Sequence, residues 1–219
     1  MEVLKRFELN SRGRDLVVGD IHGHFSRLRA RLNEVGFDPR VDRLFSVGDM
    51  IDRGPESEQA LEWLDEPWFH AVRGNHEDYA VRYRSVNRSN WSRYGGDWFL
   101  ALDPKRQQHI SERFAQLPLA MEVATAQGPV GILHADCPVP DWRRLDLRKR
   151  RMQDFCMWSR TRIQERRESR VHGLRALVVG HTPLDEPTTL GNVIHIDTGG
   201  WTEDGNFTLL DISTLRPLG

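Results

Sequence analysis

Five short segments of the 219-residue chain put a small residue beside side chains able to bind a divalent cation. They are Gly19-Asp20-Ile21-His22-Gly23, Gly48-Asp49-Met50-Ile51-Asp52-Arg53-Gly54, Arg73-Gly74-Asn75-His76-Glu77, Leu133-His134-Ala135-Asp136 and Gly180-His181-Thr182-Pro183. Carboxylate, amide and imidazole are oxygen and nitrogen donors, suited to manganese, iron or zinc in mixed sites and not to thiolate-loving metals. Asp20, His22, Asp49, Asn75, His134 and His181 make six candidate ligands. That is more than one tetrahedral catalytic zinc uses, and it suits two ions sharing a carboxylate, about 3.5–4 Å apart, which activate water against a phosphoester. Taken singly, Asp20 or Asp49 reads as a turn residue or helix cap, Asn75 as a turn residue and His134 as a structural histidine. Their joint occurrence asks for one explanation instead of six.

Each cluster begins where a hydrophobic run ends: Asp15–Val18, 43–47, 69–72, 130–133 and 175–179 read as strands. The first three are followed by helical patterns over 24–35, over 56–64 and from about 76. Phe25, Leu28, Leu32 and Val35 recur at intervals of three and four, one face of a helix that Gly36 stops. Strand, polar cluster and helix in repetition is the pattern of βαβ units, and open α/β sheets place their sites at the C-terminal strand ends. Residues 85–116, polar and aromatic at first (NRSNWSRYGGDW) and then helical from Pro104, read as a helical insertion within a single domain spanning 1–219. Further strands are expected at 117–123, 193–196 and 206–210, with a helix over 146–158. Trp91, Tyr94, Trp98 and Trp142 are assigned mainly to core packing, with a peptide groove as the alternative. His24, His70, His109, His172 and His195 lack a partner motif and read as structural.

Composition narrows the class. Charged residues make up 29% of the chain and mean hydropathy is -0.58, as in a globular protein. Runs such as Ala176–Val179 are far shorter than the roughly 20 apolar residues of a spanning helix. A net charge of -1 argues against a dedicated nucleic-acid binder. The Arg-rich stretch 143–170 reads as a solvated face, or as a rim attracting anionic substrates, and 160–172 is too charged to be core. MEVLKRFELN lacks the apolar stretch of a secretory signal, and Cys137 and Cys156 form no CxxC, so a reducing cytoplasm is expected. Cys137, near His134, is a candidate oxidation-sensitive thiol, its plainer reading being a small buried side chain.

GDIHG, GDMIDRG, RGNHE, HAD and GHTP, in this order from about residue 15 to 199, resemble the phosphoprotein phosphatase (PPP) family of metal-dependent serine/threonine phosphatases, most of all its compact phage-lambda-type branch. The resemblance implies a four-layer αββα fold, a central β-sandwich flanked by helices. It implies Asp20, His22 and Asp49 on one metal and Asp49, Asn75, His134 and His181 on the other, with Asp49 shared. His76 would be the general acid, oriented by Asp52, and Arg53, Arg73 and Arg160 would bind the phosphoryl group. Two divalent cations are implied, manganese first, with iron or zinc as alternatives. A serine alkoxide needs a proton as it departs, which an imidazolium held by a carboxylate can supply, and guanidinium forks match phosphoryl oxygens. No obligate regulatory subunit is expected, nor a membrane or nucleic-acid partner; the partners would be phosphoproteins.

Two rival readings come from different classes. Symmetrical dinucleoside tetraphosphate hydrolases carry similar motifs but tend to read GNHD where this chain has GNHE, and to lack the Asp-Arg pair of GDMIDRG. A non-catalytic phosphopeptide-binding module would have lost a ligand or the acid, whereas all six candidates and His76 are present. General phosphodiesterase or nuclease activity ranks behind both.

Overall fold

The computed structural model describes residues 3–218. In chain order the elements are β1 (Leu4–Phe7), β2 (Asp15–Val18), α1 (Phe25–Glu34), β3 (Arg43–Ser46), α2 (Gln59–Asp65), β4 (Phe69–Ala71) and α3 (Asn75–Val81). Then come α4 (Arg88–Arg93), α5 (Asp97–Leu100), α6 (Pro104–Ala115), β5 (Ala120–Val123), β6 (Val130–Ile132), α7 (Arg150–Trp158) and α8 (Thr161–Glu165). The chain closes with β7 (Ala176–Val179), β8 (Thr188–Leu190), β9 (Val193–His195), β10 (Leu209–Asp211) and β11 (Arg216–Pro217).

Successive strand residues face opposite ways, and here that parity builds three apolar cores. In β2, Val17 joins Val130, Ile132 and Val178 between two sheets, while Leu16 and Val18 pack outward against Phe25 and Leu28 of α1. In β7, Ala176 and Val178 face inward, and Leu177 and Val179 pack outward with Cys156 and Met157 of α7. The sheets are ordered β11-β10-β2-β3-β4 and β1-β5-β6-β7-β9-β8. The result is the expected β-sandwich with helices on both outer faces. Burying a strand on both sides requires apolar residues at odd and even positions alike, which is why these strands read as continuous hydrophobic runs.

Strands β2, β3 and β4 are parallel neighbours, as are β6 and β7, so the five motif segments leave C-terminal strand ends. Residues 85–116 form α4, α5 and α6, with Trp91, Phe99, Ile110 and Phe114 in the core outside β2 and β3. Asp103 caps α6 by accepting from the Lys105 and Arg106 amides, and Pro104 occupies its first turn, where no amide donor is needed.

The differences from expectation have local causes. The strand expected from 117 starts at Ala120, because Pro118 has no amide to give a ladder. The helix expected over 146–158 starts at Arg150, and that over 56–64 starts at Gln59. Strands β1, β8 and β11 were not foreseen; each is two to four residues long, and β1 and β11 carry exposed charge. Within the charged stretch 160–172, Arg162 is buried against Asp136 at 2.8 Å, contrary to the expectation that this stretch stays out of the core. Its neighbours are paired locally on the surface, Arg143 with Asp141 and Arg167 with Glu165. No helix among the described residues is long and apolar enough to cross a membrane.

Candidate active site

The loops after β2, β3, β4, β6 and β7 converge on one point, and all six ligand candidates meet there, each at most 5% exposed. Asp49 is central. Its Oδ2 lies 3.3 Å from His134 Nε2 and 3.8 Å from both His22 Nε2 and His76 Nε2. His22 Nε2 is 4.0 Å from Asp20 Oδ2, and His134 Nε2 is 2.9 Å from Asn75 Oδ1 and 3.1 Å from His181 Nδ1. Ligand-capable atoms of His22, Asp49 and His76, and again of Asp49, His134 and His181, lie within 4.8 Å of one another, and Asp49 belongs to both groups.

Backbone geometry holds this cluster under strain. Among the described residues, seven non-glycine residues lie in the left-handed region, and five of them, His22, Asp49, Asp52, Arg53 and His181, belong to the site loops. Such conformations cost of order 1–3 kcal/mol each and persist only where the surroundings enforce them. The loops are tied together by His22 N–H donating to Asp49 O, by Gly180 N–H donating to His134 O and by His181 N–H donating to Asp20 Oδ1. Gly74 lets α3 begin against Asp49, since a Cβ there would sit 2.2 Å from Asp49 Oδ1.

The donor set fits divalent cations. His22 Nδ1 and His134 Nδ1 sit 2.8 Å from the Ile51 and Val47 carbonyls, to which they donate, and this tautomer leaves each Nε2 with its lone pair facing the cluster. His181 Nε2 is buried with no hydrogen-bond partner. Burial and His76 keep His22 well below its ordinary value, and burial and His134 push His181 down to about 3, so both rings offer neutral donors to the cluster. The acids lack countercharge. Burial, then Asp197 and Asp49, push Asp20 well up, while burial and Asp49 push Glu77 up to about 7. Burial opposes ionisation of Asp49 too, yet His134 and His76 hold it well below the carboxylate range. Burial lowers the proton affinity of His134, but Asp49 beside it favours a proton and raises it above ordinary. A cation would take that proton's place.

His76 has a different partner. Its Nδ1 is 2.6 Å from Asp52 Oδ2, and although burial lowers its proton affinity, Asp49 and the Asp52 hydrogen bond raise it above the ordinary value. Next to it is a cavity of about 200 Å³ lined by Arg53, Asn75, His76, Tyr79, Tyr94, Trp158, Arg160 and His181 among others. The Arg53 guanidinium stacks 4.1 Å from the Trp201 ring, and Arg160 Nη2 is 3.5 Å from the His181 carbonyl. Arg73 is 8% exposed, with Nη1 3.7 Å from Asp78 Oδ1, and it does not line this cavity.

Three contributors escaped the sequence reading. Glu77 is fully buried, and its carboxylate accepts from the amides of Asp49, Met50 and Gly74 at 2.9, 2.7 and 2.8 Å. Its signal was present, an acid three residues into a helix behind a tight turn. Trp91 and Trp98, assigned above to packing or a groove, donate their indole N–H groups to Asp52 at 2.7 Å each. No local pattern encodes that. Cys137 and Cys156 are both buried, and burial pushes the Cys137 thiol up to about 11, which removes the case for a reactive thiol and leaves the plainer reading.

Residues 14–208 match the family model described as calcineurin-like phosphoesterase. Among curated relatives, "Serine/threonine-protein phosphatase 1" of Salmonella typhimurium is 40% identical over 205 residues, covering 90% of this chain and 92% of the relative. "Serine/threonine-protein phosphatase 2" of Escherichia coli is 37% identical over 190 residues, covering 84% and 86%. Among solved structures, a protein serine/threonine phosphatase from Saccharomyces cerevisiae superposes with a TM-score of 0.63 at 16% identity, covering 98% of this chain and 85% of that one. That last likeness speaks to the fold.

Proposed function

The chain belongs to the calcineurin-like phosphoesterase family, and from that premise we propose that it is a metal-dependent protein phosphatase. Its substrates would be phosphoserine and phosphothreonine monoesters in proteins, with phosphotyrosine and small aryl phosphates also accepted, in the cytoplasm and within a single domain. The observation that carries this reading is the cavity where Arg53, Arg160 and His76 face one space beside Asn75 and His181. Cationic forks, a proton donor and a cation site adjoin at the scale of one phosphoryl group.

Asp20, His22 and Asp49 would hold one cation and Asp49, Asn75, His134 and His181 the other, manganese being the proposed occupant. Such ions supply Lewis acidity and an activated water. Arg53 and Arg160 would bind the equatorial phosphoryl oxygens, with Arg53 kept planar over Trp201. Arg73 would act at longer range, through its charge. His76 shares short distances with the ligand group, but its Nδ1 meets a carboxylate where His22 and His134 meet backbone carbonyls. A carboxylate favours the protonated ring, so Nε2 of His76 is the atom that would deliver a proton to the departing alkoxide.

The test is phosphate release by metal-stripped protein with Mn²⁺ restored, on p-nitrophenyl phosphate, a phosphothreonine peptide and diadenosine tetraphosphate in parallel. Peptide turnover well above that of the tetraphosphate is expected. The reverse order would replace the substrate assignment, and silence on all three would overturn the enzymatic reading. His76→Asn should retain both cations and slow the peptide far more than p-nitrophenyl phosphate; equal losses would remove His76 as the acid.

A further inference from the structure

Asp52 is fully buried, and among the described ion pairs its carboxylate meets only His76. It accepts instead from two indoles. Trp91 Nε1 donates to Oδ2, the oxygen that also accepts from His76 Nδ1, and Trp98 Nε1 donates to Oδ1, both at 2.7 Å. Donors on both oxygens fix the plane of the carboxylate. An indole suits this task because it only donates: it neither accepts the proton nor competes with the imidazole for it. Both tryptophans belong to the inserted helices, 39 and 46 residues beyond Asp52 in sequence.

The insertion is docked for this purpose on its other side as well. The turn joining α4 to α5 passes Gly95, at φ 92°, where a Cβ would lie 2.2 Å from the Arg53 amide nitrogen. Trp91 is anchored by stacking on Tyr79 at 5.7 Å and by Phe99 at 4.9 Å, so its N–H direction is set by packing. Backbone contact with Arg53 and two aimed donors on Asp52 bind the insertion to the loop that carries both residues.

We infer that Trp91 and Trp98 are positioning residues for the Asp52–His76 pair, and that the inserted helices hold the proton donor in place. The inference rests on the phosphatase reading for its kinetic consequence but not for its geometry. Removing the Trp98 N–H leaves Oδ1 buried without a donor and lets the carboxylate turn, which loosens His76. Substrates whose leaving group departs as a stable anion would not register the change, whereas serine and threonine phosphates would.

The experiment uses the full chain. Trp98→Phe leads because Trp98 is only partly buried, so the ring can be replaced with the fold intact; Trp91→Phe tests the other oxygen, and Trp63→Phe is the packing control, its buried indole nitrogen having no acceptor. Indole N–H signals in a nitrogen-15 proton spectrum give a readout without turnover. Of the seven tryptophan signals, those of Trp91 and Trp98, assigned by the two Phe variants, should move upfield in Asp52→Asn, while those of Trp68 and Trp142, which donate to Glu66 and Glu122, should stay. Trp98→Phe should lower kcat on a phosphothreonine peptide tenfold or more, a part of the 10²–10⁴ that general acid catalysis contributes, and change p-nitrophenyl phosphate less than about threefold. In the Asp52→Asn background the same change should add little, since the carboxylate through which Trp98 would act on His76 is gone, although an amide oxygen remains. Equal losses on both substrates, full additivity in that background, or seven unmoved indole signals would each overturn the inference. A wild type silent on every phosphoester overturns the phosphatase reading instead, and the indole signals still decide the arrangement.

Discussion

Glu77→Gln isolates the carboxylate that holds the Asp49 turn. Oε2 of Glu77 accepts from the Asp49 and Gly74 amides and Oε1 from the Met50 amide, and the side chain itself has no exposed surface. An amide of the same size can place its oxygen where Oε2 was, but its NH₂ then faces the Met50 N–H, donor against donor. Losing that bond and stranding one buried donor costs on the order of 2 kcal/mol. At about 2–4 °C per kcal/mol for a chain of this length, Tm should fall by about 4–8 °C. The deficit should grow when Mn²⁺ is added, because cations beside Asp49 favour the ionised form of Glu77 and stabilise the wild type more than the variant. In cation-stripped protein, burial and Asp49 raise the Glu77 carboxyl from 4.5 to about 7. The native state then keeps a proton that the unfolded chain has released, so this group lowers stability as pH climbs through that window, and Glu77→Gln should flatten the slope. Thermal unfolding with and without Mn²⁺, from pH 4.5 to 8, reads all three effects. A variant within about 1 °C of wild type in both states would refute the role assigned to Glu77.

Asp49→Asn should reduce bound metal from two equivalents toward none by elemental analysis, whereas loss of a single ion would show that the carboxylate is not shared. Cys137 and Cys156 should resist iodoacetamide at pH 8 in the native protein and react fully in denaturant; labelling of the native fold at the denatured rate would contradict their burial. For Asp42, burial raises the carboxyl but hydrogen bonds from the Arg14 side chain and the Arg14 and Asp38 amides hold it below its ordinary value. A depressed native pKa gives stability that is complete above the unfolded value and lost as pH falls through the native one, so Asp42→Asn should flatten the acid limb of stability below about pH 4. An unchanged acid limb would show that the Arg14–Asp42 pair carries no such linkage.

What the sequence determined by itself is what a few neighbouring residues can encode. A β-branched run followed by Gly-Asp or Gly-Asn specifies a strand, a tight turn and a polar side chain at the strand end, so the ligand candidates were legible and fell together once the parallel strands aligned. The layering followed from strands apolar at both parities. Tertiary structure alone decided the rest. Edge strand β1 is partly exposed and charged, and it exists because β5, far along the chain, offers an unpaired edge. Arg162 entered a charged surface stretch in sequence and a buried pair with Asp136 in space. The donors on Asp52 come from 39 and 46 residues away, and Glu77 reaches back 28 residues to the Asp49 turn. A hydrogen bond needs its donor within about 3 Å and in line, a condition on three-dimensional placement that composition and period do not carry. Residue types at strand ends say which chemistry is available; only the packing of α4 and α5 says which of those groups is held still.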